Sequence, residues 1–301
     1  MIVYDVDNVT KVYPRQSVPA NKDISLQIHR GEIFGLLGDN GAGKTTLVRQ
    51  MVALLPSTSG KIKLFGKGVT GDPLLVPTHV GYMPQEARAL NNLTVSQSLF
   101  YTARLRGMSR PDAHRERDRL ITLWDIGAIR GQVSSKLSGG ERRLLRLAVA
   151  MIADPPILIL DEPTNDLAPQ RRRLVWEVLG HMNRERGTTI LFITHDAIEA
   201  ERAIQRVGIM RSGELIVVGA PSDLKRKIDR KLRLELFFRP DEPPRMPEGL
   251  AYHELQPGRW LAWIDREEAS TALAQLDMVR LEDFRLTSAT LEDLYVQYIN
   301  S

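Results

Sequence analysis

Short apolar stretches recur along the first two thirds of the chain and again near residue 210. Several are continuous apolar runs, which is typical of strands buried on both faces of a parallel sheet. The residues Arg-Ser-Gly-Glu at 211–214 predict a hairpin turn between the last two of these segments. The strand-like segments are 2–9, 24–28, 32–37, 157–160, 189–194, 207–210 and 214–218.

The pattern changes to helical spacing between about residues 88 and 136. Thr94 and Gln97 have the spacing of a capping box, which predicts the start of one helix. A second helix is predicted to begin near Ser109, with Pro111 in its first turn. This segment therefore reads as a helical insert within an α/β core.

Apolar alternation restarts after about residue 225. A proline-rich loop at 239–247 interrupts it, and a final helix is predicted through Leu291, Leu294 and Tyr298. We therefore predict two domains, a larger α/β domain at 1–224 and a small accessory α+β domain at 225–301.

Composition narrows the class of protein. The 301 residues are 43% hydrophobic and 26% charged, which is typical of globular proteins. The absence of cysteine excludes disulfides and Cys-ligated zinc and fits a reducing compartment. A net charge of +4 is weak evidence for a nucleic-acid partner. The arginine pair at 142–143 and the run at 171–173 are expected on solvated helix faces, or against anionic headgroups.

No apolar run reaches the length of about 18 to 20 residues that a membrane helix needs. The first residues also lack the charged and apolar regions of a secretion signal. We therefore expect a cytoplasmic protein that does not cross a bilayer alone.

The stretch GDNGAGKTT at 38–46 follows an apolar strand and opens a helix-compatible segment, as a P-loop requires. Small residues let backbone N–H groups turn toward a phosphate, and the helix N-terminus adds partial positive charge. Lys44 would reach the outer phosphates, and the Thr45 hydroxyl would bind Mg²⁺. Many classes of enzyme use such a loop, so it indicates a nucleotide and not a function. The predicted binding residues are Gly38, Asn40, Gly41, Ala42, Gly43, Lys44, Thr45 and Thr46.

Two adjacent carboxylates end the apolar run ILILDE, where ligands gather in open α/β sheets. Asp161 could hold the hydration shell of Mg²⁺, while Glu162 orients the attacking water for phosphoryl transfer. Taken alone, the same pair could simply cap the following turn.

A second glycine-bearing helix start lies in LSGGERR at 137–143. Ser138 can cap the helix, and Gly139 and Gly140 allow close backbone approach, which makes another anion-binding terminus. An ordinary serine–glycine cap is the alternative.

The ordered set of GDNGAGKTT, GYMPQ, LSGGERR, ILILDEPT and ITHD resembles the ATP-binding subunit of ABC transporters, of the drug-resistance or exporter type. The resemblance covers roughly residues 1–224. It implies a P-loop NTPase core of the ABC type with an antiparallel β subdomain and a helical insert, followed by the small α+β module. The segment at 286–299 is similar, more loosely, to the tail of exporter ATPases.

The resemblance also gives roles to residues that the pattern alone leaves anonymous. Tyr13 would stack on adenine, and Gln85 would touch Mg²⁺ or water and sense the membrane subunit. Without the resemblance, Tyr13 and His195 are more typical of packed structural residues. The implied catalytic residues are Lys44, Glu162 and His195, the implied metal ligands are Thr45, Gln85 and Asp161, and the implied contacts to a partner's ATP are Ser138, Gly139 and Gly140.

Two departures from the family pattern stand out. The family's signature loop, which corresponds to LSGGERR here, usually has Gln where this chain has Glu141, so the contact of this position with nucleotide is left open. Asp166 and Ala168 replace the usual Gly and Asp after the catalytic acid, with Pro169 suited to the first helical position. Communication between two ATP sites is the property that these changes put in question.

The resemblance implies an ATPase subunit that uses ATP and Mg²⁺, dimerises with itself or a related subunit, and powers an integral membrane permease at the inner face of the membrane. No nucleic-acid partner is expected. The alternatives are a soluble ABC ATPase that acts on ribosomes or DNA, and a regulatory ABC subunit with little hydrolysis.

Overall fold

The computed structural model describes residues 1–195, 201, 203–226, 231–247, 249–288, 290 and 293, and it leaves the side chains of Arg88 and Arg226 undescribed. The chain forms two compact units: among the described residues, the first contains 1–195 and 203–218, and the second contains 201 and those from 219 onward. The domain boundary expected after residue 224 stays a prediction. The predicted final helix through Leu291, Leu294 and Tyr298 lies outside the described residues.

An antiparallel sheet of four strands, in the order β2-β1-β4-β5, begins the first unit. Its alternating burial comes from residues such as Ile24, Leu26 and Ile28, which point into the core from one face of β2. This sheet is the antiparallel β subdomain that the resemblance implied. The strands are β1 Ile2–Lys11, β2 Asn21–His29, β4 Ser59–Leu64 and β5 Lys67–Gly68.

The first unit also contains a six-stranded sheet in the order β10-β9-β3-β8-β7-β6, and the P-loop and the Asp161–Glu162 pair follow strands of this sheet. β3, β7 and β8 are buried along their whole length, as their apolar runs predicted. β6, β7, β8, β3 and β9 pair in parallel, so their carboxyl ends meet at one edge. The strands are β3 Ile33–Gly38, β6 Val80–Met83, β7 Ile157–Asp161, β8 Thr189–Thr194, β9 Arg206–Arg211 and β10 Glu214–Gly219.

The predicted hairpin turn at 211–214 joins β9 to β10. Ser212 and Gly213 both have positive φ, at 47° and 84°, the combination that a type I′ turn requires. The pattern of turn residues therefore predicted this connection correctly.

Helices cover the parallel sheet and form the insert. Thr94 and Gln97 make the predicted capping box, and Ser109 caps the next helix by accepting a hydrogen bond from the Asp112 N–H. Within the described residues, no helix is long and apolar enough to cross a bilayer. The helices are α1 Lys44–Met51, α2 Leu75–His79, α3 Val95–Leu105, α4 Arg110–Leu123, α5 Gly139–Met151 and α6 Pro169–Arg186, with 3₁₀ turns at Arg88–Leu90, Gly127–Ile129 and Ser134–Lys136.

The second unit contains a four-stranded antiparallel sheet in the order β12-β13-β11-β14. Leu234, Leu236 and Ile264 are buried in its core, and the half-buried Trp260 packs edge-on against Phe238 at 4.5 Å between ring centroids. This arrangement is the small α+β module that the sequence predicted. Its elements are α7 Pro221–Arg226, β11 Lys231–Phe238, β12 Tyr252–Gln256, β13 Arg259–Asp265, α8 Ala269–Ala274, a 3₁₀ turn at Met278–Arg280 and β14 Leu281–Ser288.

Candidate functional site

The loop between β3 and α1 forms a tight cradle around Gly43. Gly43 adopts φ 98°, and a Cβ atom there would lie 2.2 Å from the carbonyl oxygen of Ala20, so only glycine fits. Asn21 fixes the turn by donating from Nδ2 to the Gly43 carbonyl at 3.0 Å. α1 starts without a side-chain cap and without an acidic residue in its first turn. Its first N–H groups therefore remain suited to an anion.

Lys44 places a buried cation beside this helix start. Its Nζ donates to the carbonyl oxygens of Gly38 at 2.6 Å and Asp39 at 2.9 Å. Burial lowers the pKa of Lys44, while the charges of Glu162 and Asp161 oppose that shift. The ammonium group is thus poorly hydrated and close to two carboxylates, a position from which it can bind phosphate oxygens.

Asp161 ends β7 and faces the P-loop. Its Oδ2 accepts a hydrogen bond from Thr45 Oγ1 at 3.0 Å. Burial raises the pKa of Asp161, and the hydrogen bond from Thr45 works against that rise. A hydroxyl and a carboxylate at this distance are the oxygen ligands that Mg²⁺ prefers.

The described residues contain no cluster of three or more His, Cys, Asp or Glu side chains that could hold a metal by themselves. Mg²⁺ usually takes only one or two protein ligands and completes its shell with water and substrate phosphates. The Thr45 and Asp161 pair therefore fits a magnesium ion that arrives with a nucleotide.

Glu162 lies just beyond Asp161 in a constrained backbone conformation. Its φ is 50°, in the left-handed region, and its N–H donates to the Ile193 carbonyl at 2.9 Å. His195 Nδ1 lies 2.9 Å from Glu162 Oε1, and Asn165 Nδ2 donates to Oε2. The two residues that the sequence singled out separately, Glu162 and His195, are in direct contact.

Asn165 and Arg143 are contacts of Glu162 that sequence reasoning missed. The Arg143 guanidinium donates to the Glu162 carbonyl oxygen and to Asp166 Oδ2, the latter at 3.0 Å. The side chain of Arg143 is only 8% exposed, so its expected place on a solvated helix face is wrong. Its spacing of i, i+4 from the buried Leu147 is the signal that could have placed it on the inner face of α5.

The predicted cap at the start of α5 is confirmed, and Glu141 completes it. Glu141 N–H donates to Ser138 Oγ at 3.3 Å, while the Glu141 carboxylate accepts from Ser138 N and Oγ, both at 2.8 Å. These hydrogen bonds lower the pKa of Glu141, the backbone N–H most of all. The carboxylate therefore occupies part of the donor set of this helix start.

Gly139 and Gly140 bring the first turn of α5 against the loop that follows Glu162. A Cβ atom on Gly140 would lie 3.4 Å from the Asp166 carbonyl oxygen, and one on Gly139 would lie 3.8 Å from Asp166 Cβ. Ala168 caps α6 without a side-chain hydrogen bond, and Pro169 takes its first position, as the sequence predicted.

Tyr13 and Gln85 occupy different surroundings. Tyr13 Oη lies 3.3 Å from Thr46 Oγ1, so this ring adjoins α1. Gln85 is exposed just after β6, and its carbonyl oxygen accepts a hydrogen bond from Arg146. Among the described residues, the side chains of Gln85 and Ser138 are not part of the contacts that join Lys44, Thr45 and the carboxylates. The roles suggested for Tyr13 and Gln85 stay predictions.

The geometry combines a P-loop, a Thr–Asp pair and a Glu–His pair at one sheet edge, and residues 21–165 match the model of the family described as ABC transporter. The chain carries an ABC transporter ATP-binding cassette. This cassette is 34% identical over 260 residues to ATP-binding cassette sub-family A member 2 of Homo sapiens, covering 86% of this chain and 10% of that protein. It is 29% identical over 307 residues to the retinal-specific phospholipid-transporting ATPase ABCA4 of Homo sapiens, covering 96% and 14%.

The chain thus spans about a tenth of the length of these relatives. Solved structures show the same fold. The dimeric structure of a bacterial ABC transporter cassette superposes with a TM-score of 0.68 at 23% identity, over 72% of this chain and 98% of that one. An ATP-binding subunit of an ABC transporter superposes with a TM-score of 0.69 at 24% identity, over 75% and 93%. The cassette fold that the resemblance implied is confirmed.

Proposed function

We propose that this cassette hydrolyses ATP and that hydrolysis powers an ABC-type membrane exporter. The observation that carries the proposal is the Glu162 carboxylate, held between His195 Nδ1 at 2.9 Å and the Asn165 amide, directly after the Asp161 carboxylate. A carboxylate fixed in this way is oriented to accept a proton from a water molecule.

The proposed work is divided among neighbouring groups. Lys44 and the N–H groups at the start of α1 would bind the phosphates, and Thr45 and Asp161 would hold Mg²⁺, which supplies positive charge against the charge that develops on the phosphate oxygens. Glu162 orients and deprotonates the attacking water. His195, which touches Glu162 and is half exposed on its other side, is placed to contact the terminal phosphate.

We further propose that two such cassettes pair, each offering Ser138, Gly139 and Gly140 to the nucleotide on the other. The dimeric structure of a bacterial relative supports this assembly. Tyr13 would stack on adenine, and Gln85 would report on a membrane permease that holds the cassette at the inner face of the membrane. ATP binding would close the pair and hydrolysis would reopen it.

The transport function has support from several relatives whose names describe transporters. Three of them, from Homo sapiens and Bos taurus, are named phospholipid-transporting ATPases, so phospholipid is the substrate class to test first. The alternative of a ribosome- or DNA-acting ATPase has no such support. A regulatory cassette with little hydrolysis conflicts with the presence of Lys44, Asp161, Glu162 and His195 together.

Replacement of Glu162 by Gln tests the assigned base. We expect kcat for ATP to fall by about 10²- to 10⁴-fold, the usual contribution of a general base, with ATP affinity nearly unchanged. Glu177→Gln, on the exposed face of α6, is the matched control and should leave both quantities as they are. Equal turnover by wild type and Glu162→Gln would remove Glu162 from the mechanism.

Co-purification tests the coupling to transport. The tagged Glu162→Gln cassette, extracted from its native membranes with ATP and Mg²⁺, should retain an integral membrane protein. Recovery of stoichiometric RNA or DNA in place of a membrane protein would overturn the proposed transport function and favour the nucleic-acid alternative.

A further inference from the structure

Arg143 bridges the two ends of the short loop that contains Glu162. From α5, its guanidinium donates to the Glu162 carbonyl oxygen at one end and to the Asp166 carboxylate at 3.0 Å at the other. The planar fork of arginine suits this kind of two-point contact, which a lysine cannot reproduce. One side chain thus fixes the span of residues 162–166.

The contact with Glu162 acts on a backbone that is already constrained. Glu162 has φ 50°, a region that non-glycine residues rarely adopt, so surrounding contacts must hold it there. Its N–H is held by the Ile193 carbonyl at 2.9 Å, and its carbonyl oxygen is held by Arg143. Loss of the second contact would let the peptide rotate and carry the carboxylate with it.

The guanidinium of Arg143 is buried, so its charge depends on its two partners. Arg143 is 8% exposed, whereas its partner Asp166 is 72% exposed. A buried guanidinium needs charged or carbonyl partners, because an unpaired charge in the interior is strongly unfavourable. Asp166, one of the departures from the family pattern, therefore compensates the charge of Arg143.

The same loop lies against the first turn of α5. A Cβ atom added at Gly140 would lie 3.4 Å from the Asp166 carbonyl oxygen, so the first turn of α5 and Asp166 are in close contact. A displacement of this helix start would thus reach Arg143, Asp166 and the Glu162 peptide together.

We propose that Arg143 is a positioning residue, which sets the orientation of the Glu162 carboxylate and transmits the position of the α5 start to it. The proposal rests on the proposed ATPase function. Arg143 itself would not touch the nucleotide; it would act through the Glu162 peptide and through Asp166.

Arg143→Lys tests the proposal, since it keeps the charge and removes the fork. We expect kcat to fall by about tenfold or more, because a small misplacement of a catalytic group slows the reaction steeply, while KM for ATP changes by less than about twofold. Arg143→Ala should lower kcat further, with lysine giving partial rescue. Asp166→Asn should have a smaller effect alone and little additional effect in Arg143→Ala, since both act through one contact.

Arg119→Lys is the matched control. Arg119 also makes a contact at two points: it donates to both oxygens of the Glu116 carboxylate, at 2.7 and 2.8 Å, and more weakly to Asp154 at 3.3 Å, but it lies in the helical insert. Its replacement should lower the melting temperature and leave kcat unchanged. A fall of kcat in both variants would show that turnover follows stability alone and would overturn the proposal.

A measurement that does not depend on turnover separates the positioning role of Arg143 from the proposed ATPase function. The ring resonances of His195, followed by NMR in the nucleotide-free protein, should shift in Arg143→Lys and not in Arg119→Lys, because His195 touches the Glu162 carboxylate. Unchanged His195 resonances together with unchanged kcat would overturn the positioning role. If the wild type showed no turnover but the His195 resonances still shifted in Arg143→Lys, the proposed function would be overturned and the positioning role of Arg143 would stand.

Discussion

The starts of α1 and α5 are both built on small residues, yet they satisfy their backbone donors in different ways. α1 begins at Gly43 with no side-chain cap and no acidic residue in its first turn. α5 begins at Ser138 with a complete capping box, in which Glu141 accepts from the Ser138 backbone. One helix start leaves its donors for a ligand, and the other has committed part of them to its own carboxylate.

The charges beside the two helix starts also favour a phosphate at α1 over one at α5. Lys44 brings a buried cation to α1, whereas Glu141 keeps an anion at α5 through its lowered pKa. A phosphate is thus attracted to the first start and meets a like charge at the second. The start of α1 is therefore the more favourable of the two helix starts for a phosphate in a single cassette.

Among the variants that test this difference between α1 and α5, Gly43→Ala should have the largest effect. The added Cβ would meet the Ala20 carbonyl oxygen at 2.2 Å on a backbone with φ 98°, so the cradle must deform. We expect ATP affinity, measured by calorimetry, to fall by about 100-fold or more. The start of α5 should be unaffected, because its cap is formed within its own first turn.

Gly66→Ala is the matched control for Gly43→Ala. Gly66 has φ 78° in the β4–β5 turn, and a Cβ atom there would meet nothing within 4 Å. It therefore carries the conformational penalty of about 1–2 kcal/mol without the clash. A similar loss of ATP affinity in Gly66→Ala would show that general destabilisation, and not the shape of the cradle, weakens binding.

Asp161→Asn should have a smaller effect than Gly43→Ala. It should raise the stability of the nucleotide-free protein and lower its ATP turnover. Burial raises the pKa of Asp161, so its ionised form is less stable in the folded chain than in the unfolded chain. Removal of the charge should raise the melting temperature of the nucleotide-free protein at pH 7 by about 2 °C. Mg²⁺-dependent ATP turnover should fall, since the carboxylate ligand is lost.

The pH dependence provides the check on Asp161→Asn. A raised folded pKa means that wild type gains stability as pH falls through that pKa toward the ordinary value of 3.8. The difference in melting temperature between variant and wild type should therefore shrink on acidification. A wild type that is more stable than Asp161→Asn at pH 7 would contradict the assigned effect of burial.

Local patterns predicted most of the frame of this site. Apolar runs gave the buried strands, the P-loop spacing gave the Gly43 cradle, and short-range capping signals gave the starts of α3 and α5. Each of these features depends on residues a few positions apart, whose interactions the sequence displays directly.

Contacts between distant segments were less accessible. His195 and Glu162 could be placed at strand ends, but their 2.9 Å contact depends on the pairing of β7 with β8. Arg143 was misplaced on a solvated face, because its partners at 162 and 166 are neighbours only after folding. A charged residue reads as exposed in a sequence unless a compensating partner can be seen.

Glu141→Gln and Glu141→Ala test the cap of α5 and should have the smallest effects on the free energy of unfolding. Glutamine can still accept from the Ser138 backbone and complete the capping box, so its free energy of unfolding at pH 7 should stay within about 0.5 kcal/mol of wild type. Alanine removes the acceptor and should cost about 1 kcal/mol. Since the folded pKa of Glu141 is lowered, its contribution is present above the ordinary value of 4.5 and is lost as pH falls through the folded pKa.

The charge of Glu141 should matter more for pairing than for folding. In the Glu162→Gln background with ATP and Mg²⁺, Glu141→Gln should tighten dimerisation by a few-fold in analytical ultracentrifugation, because it removes an anion beside the proposed phosphate contact while keeping the cap. Glu141→Ala removes the same charge but also loosens the helix start, so it should gain less. Equal or weaker pairing of the Gln variant would mean that the carboxylate of Glu141 does not oppose nucleotide at this helix start, and the contrast between α1 and α5 would then be one of capping alone.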